Sequence, residues 1–496
     1  MHHLLEAFTS IAAWATGNAS IPSIAGLSEV RRLEEKVSNA TQIYFPGSGQ
    51  FADATSRWSV LETPQVNVVV VPGTVDDVAE TVKFANKLGL PFLAFNGAHG
   101  STTTLGKMRY GVEIYLSQLS SAEIANDGQT VKIGGGTNAK LVTDTLWAAG
   151  KQAVTGTCEC VSYLGPALGG GHGWLQGHHG LIADQFVSVD IVTADGNIQT
   201  IDAQSDLWWA LNGAGHNFGI VTSVTSKIYD IEHRDWAIET FIFAGHQVEA
   251  VYQATNEHLL KNGTQPAGLI NWSYWLNIPD ADLNNPIILF YIIQEGVKAI
   301  DSIFTKPFHD IGPLSVEPLA GDYNDLAAWT GIANASPPCQ KAGLANPRFP
   351  IYLESYNVPA QKRAYDLYAS AIRGSSAFNG SLFMFEGYPM GGVRTTHGKS
   401  SAFAFRDENI LAAPLITYAH TGSEVKQKAA TLGNQLRQIL HKATGRKTLR
   451  AYVNYSYGDE TTQELYGDGQ NHQDRLRALK RKYDPHGRFS FYAPIE

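Results

Sequence analysis

The sequence contains few cysteines, no long apolar run and no excess of basic residues. Only Cys158, Cys160 and Cys339 occur among its 496 residues, which is too few for a disulfide framework. No stretch of about 18 uncharged apolar residues exists, so a membrane-spanning helix is not expected. Lysine and arginine number 37 against 46 aspartates and glutamates, and the net charge of −9 argues against a nucleic-acid or anionic-membrane partner. A globular protein of two or three domains remains, and an enzyme is the expected class.

Two features bear on the cellular location and point in opposite directions. A signal peptide is not recognisable, because Glu6 stands where an apolar core should be and no lysine or arginine precedes it. Seven N-x-S/T sequons nevertheless occur, at Asn18, Asn39, Asn262, Asn271, Asn334, Asn379 and Asn454. We therefore expect a glycoprotein that is secreted or resides in the endomembrane lumen, with the signal peptide absent from this sequence.

The first half of the chain alternates strand and helix signals between residues 65 and 228. The β-branched run Val68–Val71 is typical of a strand buried on both faces, and Thr74-Val-Asp-Asp is typical of a helix start. We expect that helix to end near Leu88, and we expect a second helix at 138–149 and strands at 91–95, 130–133, 186–193 and 197–201.

From about residue 229 the pattern changes to longer strands among amphipathic helices. Strands are expected at 236–243, 287–294 and 382–385, and a helix at 423–442. They predict an antiparallel sheet backed by helices, which is an α+β unit. The last fifty residues predict a strand at 449–455 and a helix at 474–483. We therefore expect two domains, with the C-terminal segment returning to the first.

Residues 157–173 form the densest motif, Thr-Cys-Glu-Cys-Val-Ser-Tyr-Leu-Gly-Pro-Ala-Leu-Gly-Gly-Gly-His-Gly. Its glycines allow a close backbone approach to a ligand such as a phosphate, or alternatively a tight turn between packed elements. The motif fits neither a P-loop nor a Rossmann fingerprint. His99 lies in a second loop of small residues, although a lone histidine is more often structural. His172, His178 and His179 lack a carboxylate or cysteine at ligand spacing, so no metal site is expected.

Together the motifs resemble the fungal berberine-bridge-enzyme-like flavoprotein oxidases of the vanillyl-alcohol-oxidase superfamily, which have a PCMH-type FAD-binding domain. The resemblance runs from about residue 60 to 228 and again from about 447 to the end. It rests on the segments 64–73, 96–100, 157–184, 206–222, 452–455 and 483–489. Within them Cys158 lies eleven residues before the triple glycine, as the linking cysteine of that family does.

The resemblance implies an α+β fold in two domains. A PCMH-type FAD-binding domain of two small α/β subdomains would comprise residues 1–228 and the C-terminal return, residues 447–496. The substrate-binding domain, residues 229–446, would carry the antiparallel sheet backed by helices.

The resemblance also implies FAD attached through two bonds, from His99 to a ring methyl and from Cys158 to carbon six. The neighbouring Cys160 is a second thiol, so the identity of the linking cysteine stays open. Val161 matches the small gatekeeper of family members that admit oxygen. The remaining residues implied to contact FAD are Asn96, Gly97, Ala98, Gly100, Ser101, Val161, Gly169, Gly170, Gly171, Gly173, Ile182, Asp184, Asn217, Gly219, Val221 and Asn454.

The implied reaction is hydride transfer from an alcohol or related group to the flavin, followed by reoxidation with O2. Candidate bases are Tyr455, Tyr452 and Glu386, and a tyrosine with its ordinary pKa of about 10 would need a cationic neighbour or the flavin. The expected substrate is a small molecule of fungal secondary metabolism. Oligosaccharide oxidation, a flavoprotein-templated non-redox cyclisation and a non-catalytic flavin-binding protein are the alternatives. We expect a monomer without nucleic-acid or membrane partners.

Overall fold

Three β-sheets and the helices packed on them account for most of the fold. The computed structural model describes residues 30–395, 401–419 and 422–496. Glu6 and the sequon at Asn18, which entered the expectation on cellular location, lie outside these ranges. No helix within the described ranges is long and apolar enough to cross a membrane.

The first sheet contains β1 (Gln42–Tyr44), β2 (Val66–Val71), β3 (Phe92–Phe95) and β4 (Gly111–Tyr115), accompanied by the helices Gly49–Thr55 and Val75–Lys87. Its order is β1-β2-β4-β3, in which β2, β4 and β3 are parallel and β1 is antiparallel to β2. Val69 and Val70 are completely buried, which confirms the predicted strand with two covered faces. Thr74 and Asp77 form a capping box at the predicted helix start.

The second sheet is antiparallel and contains β5 (Ala122–Ile124), β6 (Thr130–Gly134), β8 (Phe186–Val192), β9 (Ile198–Asp202) and β10 (Ile220–Lys227). Its strand order is β5-β6-β10-β8-β9. A separate pair consists of β7 (Lys151–Gln152) and β11 (Tyr229–Asp230), and the accompanying helices are Ala139–Ala148 and Trp208–Ala214. The predicted strands and helix of this region are confirmed to within one or two residues.

The third sheet has seven antiparallel strands: β12 (Trp236–Phe243), β13 (Leu269–Leu276), β14 (Ile287–Glu295), β15 (Ser315–Gly321), β17 (Ile351–Leu353), β18 (Leu382–Gly387) and β19 (Ile410–Leu415). Their order is β15-β12-β14-β13-β18-β19-β17. The longer helices of this region are Val248–Ala254, Ser302–Ile311, Val358–Gly374 and Ser423–Ala443, and a short pair is formed by β16 (Leu344–Ala345) and β20 (Tyr418–Ala419). The predicted antiparallel sheet backed by helices, and with it the α+β class, is confirmed.

The C-terminal segment packs on the first half of the chain. It contains the helices Thr462–Tyr466 and Gln470–Tyr483. The Asn217 amide donates to the Ala493 carbonyl, and the Ile495 amide donates back to Asn217. The predicted strand at 449–455 is wrong. The backbone groups of this segment form hydrogen bonds with two different elements. The Arg450 carbonyl accepts from the Tyr352 amide, and the Ala451 amide donates to the Glu464 carbonyl, so no continuous strand pairing forms.

Short helical turns connect these elements. The four-to-five-residue α-helices are Leu164–Ala167, Gln176–His179, Leu326–Trp329 and Gly391–Thr395. Single turns of 3-10 helix are found at Thr103–Lys107, Leu116–Gln118, Ala183–Gln185, Gly215–Asn217, Gly245–Gln247, Tyr323–Asp325, Pro337–Cys339, Ser376–Phe378 and Val453–Tyr455, and a π-helical turn at Thr255–Leu259. Several of these turns lie beside the large cavity of the protein.

Candidate active site

One cavity of about 900 Å³ brings together residues from distant parts of the chain. Its wall includes the loop 96–100, the segment 156–168, the cavity-facing side of the seven-stranded sheet and the C-terminal residues Tyr452, Asn454 and Tyr455. The volume lies near the upper end of the roughly 300–1,000 Å³ of small-molecule sites. The two halves implied by the sequence therefore enclose a common space.

The loop that follows β3 contributes five consecutive predicted residues, Asn96, Gly97, Ala98, His99 and Gly100, to the cavity wall. Ala98 adopts a φ of 56°, a left-handed conformation that costs little only for glycine. His99 stacks on Trp58 with ring centroids 5.7 Å apart. Burial, with a smaller contribution from the Arg348 charge, lowers the pKa of His99 to about 4, so its ring is neutral at pH 7.

The three cysteines meet at the edge of the cavity. Cys160 and Cys339 form a single disulfide across 179 residues, which the count of three cysteines did not indicate. The sequence could not reveal this pair, because so large a separation has no recognisable spacing. Cys158 is the free thiol and lines the cavity, and burial raises its pKa to about 11. The three sulfurs are also the candidate metal ligands found within the described ranges, but two of them are bonded to each other.

The triple-glycine turn lies behind the cavity wall, although the family resemblance implies contact with FAD. Gly170 and Gly171 have φ angles of 97° and 80°. A Cβ on Gly169 would lie 2.3 Å from the Asn454 side-chain oxygen, and one on Gly173 would lie 2.2 Å from the Thr155 carbonyl. Close protein packing therefore explains the glycines, which is the tight-turn interpretation left open by the sequence.

Four other residues implied to contact FAD also lie outside the wall, and their contacts are with protein. Asp184 receives two hydrogen bonds from Arg406, at 2.7 and 2.9 Å, in a buried ion pair. Asn217 anchors the C-terminal residues, Ile182 packs on Gly171, and Ser101 is buried beside the loop. In contrast, Val161, Gly219, Val221 and Asn454 line the cavity.

Glu386 is buried in the cavity wall and accepts hydrogen bonds from two tyrosines. The Tyr455 hydroxyl donates to it over 3.0 Å and the Tyr388 hydroxyl over 3.4 Å. Burial raises the pKa of Glu386 to about 7, although these hydrogen bonds and the Arg348 charge act in the opposite direction. The carboxyl group can therefore change its protonation state near neutral pH.

The pKa values of the two candidate tyrosines, Tyr455 and Tyr452, are raised above the ordinary value of about 10. Burial, and then the Glu386 charge, raise the pKa of Tyr455 well above its ordinary range. Burial likewise raises the pKa of Tyr452, whose hydroxyl accepts from the Asn454 amide at 2.7 Å. In this environment both hydroxyls are protonated at pH 7 and can donate or accept hydrogen bonds.

Arg348 is a cavity residue that the sequence did not indicate. Its guanidinium lies 4.2 Å from the Tyr455 ring centroid and 4.6 Å from that of Trp58. It occupies the position of the cationic neighbour that a tyrosine base would need, and its charge also favours the ionised form of Glu386. Arg348 does not lie in a recognisable sequence motif, so only its position on the cavity wall identifies it as a candidate site residue.

The polar groups of the cavity fit a large cofactor such as FAD. His216 lines the cavity, and its buried Nδ1 has no hydrogen-bond partner within the described ranges. A buried polar atom without a partner marks a position where a bound molecule can complete the hydrogen bonding. Gly97, Gly100 and Gly219 expose backbone to the same space. The histidines considered for a metal are otherwise engaged: His172 contacts Gln176 and Tyr352, His178 pairs with Glu295, and His179 stacks on Tyr229.

Comparison with known proteins agrees with this geometry. Residues 66–202 match the family model described as FAD binding domain, and residues 451–496 match the model described as berberine and berberine like. The FAD-linked oxidoreductase chyH of Penicillium rubens is 60% identical over 497 residues, which cover 99% of each chain.

Two solved structures have the same fold at low sequence identity. The BBE-like 1 protein of Physcomitrella patens has a TM-score of 0.79 at 20% identity, covering 94% of this chain and 99% of its own. A chitooligosaccharide oxidase has a TM-score of 0.77 at 20% identity, covering 93% of this chain and 98% of its own. The predicted family, fold class and enzyme class are thus confirmed, and the chain belongs to the berberine-bridge-enzyme-like family of FAD-linked oxidoreductases.

Proposed function

We propose that the protein is an oxidase with a bicovalently attached FAD, which oxidises an alcohol or related group of a small organic molecule and uses O2 as electron acceptor. The observation that carries the proposal is the meeting of His99, Cys158 and Glu386 on the wall of one cavity. These residues supply two groups that can bond a flavin and one that can accept a proton.

His99 and Cys158 are the proposed attachment points of the flavin. The neutral imidazole of His99 has a free lone pair with which to form a bond to a ring methyl. The Cys158 thiol must lose its proton before it reacts, because the thiolate is the nucleophile. Its pKa of about 11 means that deprotonation has to accompany the approach of the flavin.

Glu386 is the proposed base that removes the proton of the substrate hydroxyl or amine. Its pKa of about 7 is close to the value at which a general base works best at neutral pH. The hydroxyls of Tyr455 and Tyr388 hold the carboxylate, and its strand, β18, is an inner strand of the sheet. When bound, the flavin supplies the acceptor for the hydride.

The substrate is proposed to be a flat, largely apolar molecule of fungal secondary metabolism. Trp272, Tyr274 and Tyr291 line the cavity beside Glu386, whereas Trp275 and Tyr356 are packed in the core. Aromatic walls with few charged groups suit the stacking of a planar ring system. Oligosaccharide oxidation and non-redox cyclisation are the alternatives that the experiment below distinguishes.

Oxygen reactivity is proposed to depend on Val161, which lines the cavity three residues after Cys158. Its side chain is small, so it leaves access to a flavin held by the neighbouring cysteine. We propose that a larger side chain at this position would close that access and slow reoxidation by O2.

The protein is proposed to act as a monomer in an oxidising compartment, either secreted or in the endomembrane lumen. A disulfide between Cys160 and Cys339 is typical of such compartments. The sequons at Asn39, Asn262, Asn334 and Asn379 are exposed and can be glycosylated, whereas Asn271 is 1% exposed and Asn454 lines the cavity. A mass decrease on removal of N-linked glycans from protein isolated from its natural source tests this location.

Acid precipitation of the purified holoprotein tests the attachment. Yellow colour in the pellet and flavin on peptides that contain His99 and Cys158 are the expected results, and a Cys158→Ala protein should keep only the His99 link. Colour that leaves with the supernatant would contradict covalent attachment.

Anaerobic mixing with a panel of benzylic alcohols, benzylic amines, cellobiose and xylobiose tests the chemistry. Bleaching of the flavin by an aryl substrate, followed by recovery in air, is expected. Bleaching by the sugars alone would favour the oligosaccharide alternative, and product formation without bleaching would favour the cyclase.

A further inference from the structure

The three cysteines of the chain form one contact cluster at the cavity. Cys158 Sγ lies 3.7 Å from Cys160 Sγ and 3.6 Å from Cys339 Sγ, and the latter two are bonded to each other. Because the chain has three cysteines in all, Cys158 is its single free thiol. The disulfide therefore decides which sulfur remains available for reaction.

Cys160 would be a competing nucleophile if the disulfide were open. Its sulfur lies 3.5 Å from Nε2 of His99, the side chain proposed to hold the flavin. Cys158 and Cys160 are separated by one residue and their sulfurs lie 3.7 Å apart, so a free Cys160 thiol would be close to the position from which Cys158 reacts. Bonding to Cys339 removes Cys160 from this competition, because a disulfide sulfur cannot form the thiolate that attacks.

We propose that the Cys160–Cys339 disulfide selects Cys158 as the single cysteine that bonds the flavin, so that oxidation of the pair must precede correct attachment. The inference rests on the proposed bicovalent attachment and adds which structural feature determines the linking cysteine. Cys339 belongs to the turn Pro337–Cys339, in the half of the chain that carries the seven-stranded sheet. Attachment at the right sulfur thus requires that this turn has already docked on the segment containing Cys158.

The attachment step balances with one molecule of dioxygen. A bond forms between Cys158 Sγ and carbon six of the flavin, while the thiol proton and the proton on carbon six are lost. The two electrons released by this step pass from the flavin to dioxygen, which takes up the two protons and becomes hydrogen peroxide. The disulfide is neither reduced nor exchanged in this step, so it acts by withholding Cys160 and Cys339.

The segment that carries Cys339 has other contacts that hold it in place. The Glu159 amide donates to the Ile332 carbonyl over 3.2 Å, and the Asn334 amide donates to the Glu159 carboxylate over 2.8 Å. A Cys339→Ser protein should therefore keep the turn near its position while it releases Cys160 as a thiol. The effect of the disulfide on the choice of linking cysteine can therefore be measured without displacing the turn.

Peptide mapping of holoprotein with fragmentation between positions 158 and 160 tests the inference. In wild-type protein all cysteine-linked flavin should be on Cys158. In Cys339→Ser the fraction on Cys158 should fall at least twofold, with the remainder on Cys160. The double variant Cys160→Ser, Cys339→Ser is the matched control, because its single thiol should restore the wild-type share on Cys158. Flavin on His99 in each variant shows that the cavity has folded.

Three results would overturn the inference. Full attachment at Cys158 in the Cys339→Ser protein would show that the disulfide selects nothing, and the proposed function would stand. Equal loss in the single and double variants would show that the disulfide acts on the fold instead. Wild-type protein without any cysteine-linked flavin would overturn the cysteine half of the proposed function as well, so the two failures are distinguishable.

Discussion

Replacing Arg348 by methionine is expected to raise the pKa of Glu386 and to shift the pH dependence of flavin reduction. The guanidinium lies 4.2 Å from the Tyr455 ring centroid, and the Tyr455 hydroxyl donates to Glu386 over 3.0 Å. Its positive charge stabilises the carboxylate against the burial that raises the pKa of Glu386 to about 7. Methionine preserves apolar contact with Trp58 and Tyr455 but removes the charge.

The size of the shift follows from the Coulomb interaction inside the cavity. Two unit charges roughly 10 Å apart interact by about 1.7 kcal/mol at an effective dielectric constant of about 20. One pKa unit corresponds to about 1.4 kcal/mol, so we expect the pKa of Glu386 to rise by about one unit. The base must be ionised, so the rate rises with pH through this pKa, and the variant should need a pH about one unit higher for half-maximal reduction.

Stopped-flow anaerobic flavin reduction with the fastest substrate of the panel, measured across neutral pH, gives the profile. The infrared absorption of the protonated carboxyl group, taken as a difference from Glu386→Gln protein, gives the same pKa without a substrate. Glu386→Gln should lower the rate by about 10²–10⁴ and abolish the rise with pH. Arg477→Met removes a positive charge from the helix Gln470–Tyr483, away from the cavity wall, and should keep the wild-type profile. A profile that does not move in Arg348→Met would refute the coupling.

Three further predictions follow from single residues. Ala98→Gly should stabilise the protein by about 1 kcal/mol and raise the thermal midpoint by about 1 °C, because glycine relieves the left-handed φ of 56°; a lower midpoint would contradict this. Val161→Leu should slow flavin reoxidation in air-saturated buffer without slowing anaerobic reduction, and an unchanged oxygen rate would exclude the gate. Asp184→Asn should cost about 3 kcal/mol in unfolding free energy by leaving Arg406 buried without its partner, and a neutral effect in denaturant titration would contradict the structural assignment.

Local sequence patterns predicted most strands and helices because these elements are determined largely by neighbouring residues. The run Val68–Val71 is β-branched throughout, and the structure buries it on both sides. The Thr74–Asp77 capping box fixes a helix start within four residues. The segment 449–455 also contains residues that favour strands, Tyr452 and Val453 among them, but it forms no strand, because its backbone partners are on two different elements. Whether such a segment pairs depends on tertiary contacts that its own residues do not encode.

The sequence indicated those cavity residues that lie in a recognisable motif. It did not indicate the residues that only tertiary contacts bring to the cavity. His99 and Cys158 lie in recognisable segments, and both line the cavity. Arg348 and the Cys160–Cys339 pair have no motif, since their partners lie far along the chain. The resemblance assigns the triple glycine to FAD, and its close neighbours among the described residues are Asn454, Phe403 and Ile182. A glycine motif indicates a close approach but not which group approaches.

The seven-stranded sheet explains why the proposed base and the proposed substrate wall lie together. Side chains alternate between the two faces of a strand, so Leu382, Met384 and Glu386 share the cavity face of β18. Glu386 lies directly across from Trp272 on β13, which lies across from Tyr291 on β14. The base is therefore fixed by cross-strand pairing to the aromatic side chains that would hold the substrate. The loops that carry His99 and Cys158 approach this face from the other half of the chain, so the proposed orientation of the substrate and the proposed attachment of the flavin depend on separate structural elements.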